Sequence, residues 1–82
     1  MRRVRRREDD AAAQLQRAAD RICSLIVASD YPAVDIAIEV RRLREFVEVH
    51  LPGREGLFDL VYGGRFRRLW QQFRAGPQPL DW

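Results

Sequence analysis

The sequence predicts an all-α fold: a small bundle of three or four helices, made of an antiparallel helical hairpin and a kinked or broken C-terminal helix. Three observations carry this. Apolar residues recur at intervals of three and four through two long segments, which is the period of a helix with one buried face. Proline and glycine punctuate the chain between and after them, at Pro32, Pro52-Gly53, Pro77 and Pro79. Five of the eight aromatic residues, Phe58, Tyr62, Phe66, Trp70 and Phe73, form a ladder with steps of four, four, four and three.

Residues 1–8 read as a basic, flexible arm, because Arg2, Arg3, Arg5, Arg6 and Arg7 repel one another within seven positions. Glu8, Asp9 and Asp10 then suit a helix N-terminus, where carboxylates meet the positive end of the helix dipole. The first helix is expected over 9–28. Leu15, Ala18, Ala19, Ile22, Leu25 and Ile26 make its apolar face, and Gln16, Arg17, Asp20, Arg21 and Ser24 its polar one. Ser29-Asp30-Tyr31-Pro32 is a stop and a restart, with Ser29 or Asp30 as the expected cap of the next helix. So short a connection makes the two helices antiparallel.

Two periods compete after Pro32. Val34, Ile36, Ile38 and Val40 alternate as a half-buried strand does, so a strand over 34–40 stays open. Ile36, Val40, Leu43, Val47 and Leu51 continue at helical steps, and that longer pattern predicts a second helix. Arg41–Glu45, Arg44–Glu48 and Glu39–Arg42 are spaced to pair along its solvated side. Pro52 ends it, and Gly53 accepts the left-handed conformation common after a helix end.

The segment 55–62 is apolar nearly all round, so both of its sides need cover. The glycine pair that follows poses a geometrical question. At about 100° per residue, a straight helix sets the five aromatics between about 0° and 120°, with Arg65 at about −20°, inside the apolar face. Adjacent glycines also cost a helix about 1 kcal/mol each against alanine. A break or sharp kink at Gly63-Gly64 relieves both conflicts, and one is expected there. Residues 75–82 form an extended, proline-containing tail in which Leu80 and Trp82 either fold back on the core or dock a partner.

Eighty-two residues make one domain. The domain organisation is therefore an arm at 1–8, a helical domain at 9–74 and a tail at 75–82. A core of this size rarely supplies more than ~3–5 kcal/mol net, and small domains find support in disulfides, metals or self-association. One cysteine excludes an internal disulfide, and one histidine beside it makes zinc a poor fit. Association into a homodimer is the support that remains. The basic start resembles a signal peptide's charged region, but acidic residues stand where the apolar stretch belongs. No apolar run approaches the ~18 residues of a spanning helix. A cytoplasmic setting follows as the expectation, with no membrane partner, since the ten-residue third helix is short for an interfacial element.

Reactive chemistry is sparse. Cys23 lies beside an apolar stripe and reads as a small buried hydrophobe. His50 ends a helix, where imidazolium complements the dipole. Asp35 and Glu39 are a solvated i,i+4 pair among arginines. Gly63-Gly64-Arg65 is too short for a phosphate loop and follows no strand. No enzyme, catalytic residue, cofactor or metal is expected. The function predicted is a non-catalytic protein-interaction or regulatory module, with a protein contact surface at Phe66, Leu69, Trp70, Phe73, Leu80 and Trp82. Aromatic and arginine enrichment is the residue signature of interface hot spots. The alternative is a small basic nucleic-acid binder. All fifteen basic residues are arginine and the isoelectric point is near 10.0. Arg2, Arg3, Arg5, Arg6, Arg7, Arg67 and Arg74 would make its phosphate contacts.

Overall fold

The computed structural model describes the backbone of residues 2–74 and the side chains of residues 7–74. Among the described residues the chain is all-helical. Helix α1 runs Arg2–Ala28 and α2 runs Ala33–His50. A third rod follows, made of α3 at Glu55–Phe58, a π-helical turn at Asp59–Gly63 and α4 at Gly64–Phe73. The strand alternative over 34–40 is overturned: this stretch is helical throughout. The alternation arises because α2 carries apolar residues on two sides, with Ile36 and Val40 buried and Val34 and Ile38 exposed.

The helix starts earlier than its sequence suggests. The backbone is helical back to Arg2, through the segment expected as a loose arm. Among the described side chains of α1, residues 7–10 are exposed and burial begins at Ala11. The molecule measures 47 × 21 × 17 Å, and α1, at about 1.5 Å per residue, accounts for most of the long dimension.

Ion pairs fix the register of the rods. Arg21 of α1 reaches Glu39 of α2 at 2.8 Å, each about two turns from the connecting loop, as antiparallel neighbours require. Arg44 of α2 grips Asp59 of the π turn through two parallel bonds of 3.0 and 3.1 Å. Its remaining nitrogen lies 3.3 Å from Glu48, the i,i+4 pair read from the sequence. Glu39 pairs with Arg21 on the facing helix and not with Arg42. Down-running α2 thus joins up-running α1 to an up-running third rod, whose α3 packs against α2 and whose α4 packs against α1.

One core joins all three. Ala11, Leu15, Ala19, Ile22 and Ile26 from α1 meet Ile36, Val40, Leu43 and Val47 from α2. Leu51, Phe58, Phe66 and Trp70 complete it. At Pro52-Gly53 the chain turns with Gly53 at φ 87°, the left-handed conformation its position predicted. Ser29 does not cap α2. Its hydroxyl donates to the Leu25 carbonyl at 2.6 Å and accepts from the Tyr31 N–H at 3.1 Å, so it closes the end of α1 instead.

The glycine pair does not break the helix. Gly63 and Gly64 hold ordinary helical angles, φ −58° and −60°. The conflict over Arg65 is resolved by the π turn, which accommodates one extra residue and turns everything after it back by about 100°. Phe58, Phe66 and Trp70 then fall within about 40° of one another, while Arg65 moves to about −120°. The burial agrees: these three aromatics are buried and Arg65 is exposed, its guanidinium over the Tyr62 ring at 5.6 Å.

Neither glycine is required by backbone conformation. A Cβ at Gly63 would meet only the tip of the Arg67 side chain, at 3.5 Å. Gly63→Ala is therefore expected to stabilise the fold by about 0.5–1 kcal/mol through helix propensity. In a thermal melt followed by circular dichroism this appears as a rise of roughly 2–8 °C for a domain of this size. A fall in midpoint would mean that the π turn itself depends on glycine.

Candidate interaction surface

The six residues read as a contact surface separate into three groups. Phe66 and Trp70 are buried in the chain's own core, against α1. Leu69 is half-buried beside it, and Phe73 is 49% exposed. Leu80 and Trp82 lie outside the described residues. The ladder is thus mostly internal packing, and the π turn is what directs its lower half inward.

The arginines do not gather into one basic surface either. Arg7 is exposed on α1, and the side chains of Arg2, Arg3, Arg5 and Arg6 lie outside the described residues. Arg67 is half-buried, folded back towards the bare backbone at Gly63 and Gly64. Arg74 has a different employment. Its Nε donates to the Ile26 carbonyl at 3.1 Å, and Nη1 to Tyr31 at 2.6 Å. Nη2 donates to Leu25 at 2.9 Å and to Ser29 at 2.8 Å. The guanidinium also lies 5.0 Å from the Trp70 ring centroid. Helix C-termini leave carbonyls unpaired and carry partial negative charge, which a cation offsets. α1 has no basic residue in its last turn, so Arg74 supplies the cation from the far end of the third rod. This withdraws Arg74 from any phosphate-binding role.

Besides Phe73, the apolar surface left open on the third rod lies on α3 and the π turn. Leu57 is 58% exposed, Leu60 74% and Val61 41%. Sequence reasoning marked this segment as needing cover on both sides. One side has it, through Phe58 in the core and the Arg44–Asp59 pair to α2. Among the described residues nothing covers the other. The signal that could have found it is the alternation of core and surface within EGLFDLVY, which the aromatic ladder overshadowed.

Chemically reactive groups are dispersed. Cys23 is half-buried, and burial pushes its thiol up, with Arg65 only partly opposing the shift. A protonated thiol is a weak nucleophile. His50 packs its ring on Phe46, centroids 4.5 Å apart. Among the described residues no three His, Cys, Asp or Glu side chains cluster to hold a metal ion. Nor is any described helix long and apolar enough to cross a membrane. No family model, curated protein or solved structure matches this chain.

Proposed function

We propose that this chain is a small non-catalytic interaction module that pairs with a second copy of itself through the outer side of the third rod. The observation that carries the reading is the exposed trio of Leu57 on α3 and Leu60 and Val61 on the π turn. Leu57 and Val61 stand four residues apart, so they share one helical face, and Leu60 adjoins them. Contact over these residues removes apolar surface from water at about 25 cal/mol per Å². A core that supplies only ~3–5 kcal/mol gains the most from such burial. The half-exposed Phe73 lies further along the same rod. The nucleic-acid reading retains Arg7 and the arginines of the first turns, but Arg74 is committed to α1 and Arg67 is folded against its own helix. Protein contact is the better supported of the two.

Light scattering across a concentration series tests it. The intact chain is expected at twice 9.7 kDa at high concentration. Leu60→Asp, which places a charge on an exposed position, is expected to return it to monomer with its helical circular dichroism unchanged. A clean monomer at every concentration would refute the pairing.

A further inference from the structure

Gly63 and Gly64 are buried, and what lies over them is arginine. The space a Cβ on Gly63 would fill has Arg67 Nη1 3.5 Å away. The corresponding space at Gly64 has Arg68 Nη1 at 3.3 Å and Arg67 Nη2 at 3.8 Å. Both side chains run back along the rod by one turn, the direction in which helical side chains lean. Two guanidiniums therefore border one spot, each with a nitrogen within 4 Å of it.

Like charges repel, so two cationic heads brought together call for an anion between them. The rod offers none. Within residues 55–74 only Glu55 and Asp59 are acidic. Asp59 is held by Arg44 through two bonds, and Glu55 accepts the Gly53 N–H at 3.3 Å. Arg67 and Arg68 make no ion pair or hydrogen bond among the described residues. The other two arginines of the rod are engaged elsewhere, Arg65 over the Tyr62 ring and Arg74 on the end of α1.

We propose that Arg67 and Arg68, over the bare backbone of Gly63 and Gly64, bind one phosphate dianion, either free or as a phosphomonoester. The planar fork of a guanidinium matches phosphate oxygens, with N–H···O bonds of ~2.7–2.9 Å, and two forks can grip one tetrahedral group. Glycine is the residue that lets a ligand come close to a backbone. Two heads on one spot address a single phosphate and not the run of phosphates along a nucleic acid. The site is also separate from the pairing surface, since Leu57, Leu60 and Val61 contribute nothing to it.

Inorganic phosphate is the first probe and O-phosphoserine the second. Each is titrated into the intact chain slightly above neutral pH, with chloride holding the ionic strength constant. The readout is the NMR shift of the Arg67 and Arg68 Nε–H groups and of the Gly63 and Gly64 amides. A saturable shift is expected, with a dissociation constant on the order of 1 mM. Binding of phosphate alone would assign the site to the free ion, and binding of phosphoserine would extend it to monoesters. Arg67→Gln and Arg68→Gln are each expected to weaken phosphate at least tenfold. Arg65→Gln removes the same charge nearby and is expected to change binding less than twofold. Arg68 is exposed, so its variant keeps the helical fold, which circular dichroism verifies. No saturable shift with either probe, an equal response to chloride, undiminished binding in Arg68→Gln, or equal weakening in Arg65→Gln would each overturn the proposal.

Discussion

Replacing Arg74 by lysine is expected to destabilise the fold by about 1–2 kcal/mol, and replacing it by alanine by roughly 2–4 kcal/mol. Four of the five guanidinium N–H groups are placed on carbonyls, two of them, Leu25 and Ile26, in the last turn of α1 and two, Ser29 and Tyr31, in the loop that follows. Hydrogen bonds with an ionised partner contribute about 1.5–3 kcal/mol singly and do not add when they share one side chain. Alanine removes all four and leaves partly buried carbonyls to find water. Lysine keeps the charge near the helix end but has three donors on one atom, which cannot span carbonyls on both sides of a planar fork. It also loses the flat contact with Trp70. Against a net stability of ~3–5 kcal/mol, the alanine variant is close to unfolding. Urea denaturation at 25 °C is the measurement, with Arg68→Ala as the comparison: Arg68 is exposed on the same helix, and surface substitutions usually stay within ~0.5 kcal/mol. A lysine variant as stable as the parent would mean that only the charge matters, and that the four-way grip is incidental.

Arg74 also illustrates which parts of this fold the sequence reveals. Periodicity identifies the two long helices and their buried faces because each residue's role there depends on neighbours three and four positions away. Ile22, Ile26, Ile36, Val40, Leu43 and Val47 are buried as their spacing requires. Gly53 is likewise a local signal, since a left-handed turn after a helix needs little beyond the residue that adopts it. Arg74 carries no such signal: its partners lie 43 to 49 residues away. The π turn is hidden for another reason. Counting at 100° per residue exposes the misfit of Arg65, but a break and an inserted residue remedy it equally well on paper. The fold takes the inserted residue, which keeps nearly all backbone hydrogen bonds within the rod, where a break would leave several to be paired elsewhere. The same turn decides which apolar residues are exposed. It rotates Phe66 and Trp70 into the core, while Leu57, Leu60 and Val61 before the glycines stay exposed.

That exchange of roles has its sharpest consequence at Phe66 and Phe73, two phenylalanines seven residues apart on one helix. Phe66 is the largest fully buried side chain of the core, whereas Phe73 is half-exposed at the rod's end. Phe66→Ala is expected to cost about 3–5 kcal/mol, the sum of lost apolar burial and the cavity left behind. That equals the whole stability of a core this small, so the variant should be largely unfolded at 25 °C, with weak helical circular dichroism. Phe66→Leu retains most of the volume and should lose only about 1–1.5 kcal/mol, remaining folded with a lower urea midpoint. Phe73→Ala, by contrast, is expected to change stability by less than about 1 kcal/mol, because much of its ring already contacts water. If the aromatic stripe were a partner surface along its whole length, the three variants would differ in self-association and hardly in monomer stability. Denaturation at low concentration, where the chain is monomeric, separates the two cases: a Phe66→Ala variant that melts like Phe73→Ala would place Phe66 outside the core and restore the aromatic face as the site of contact.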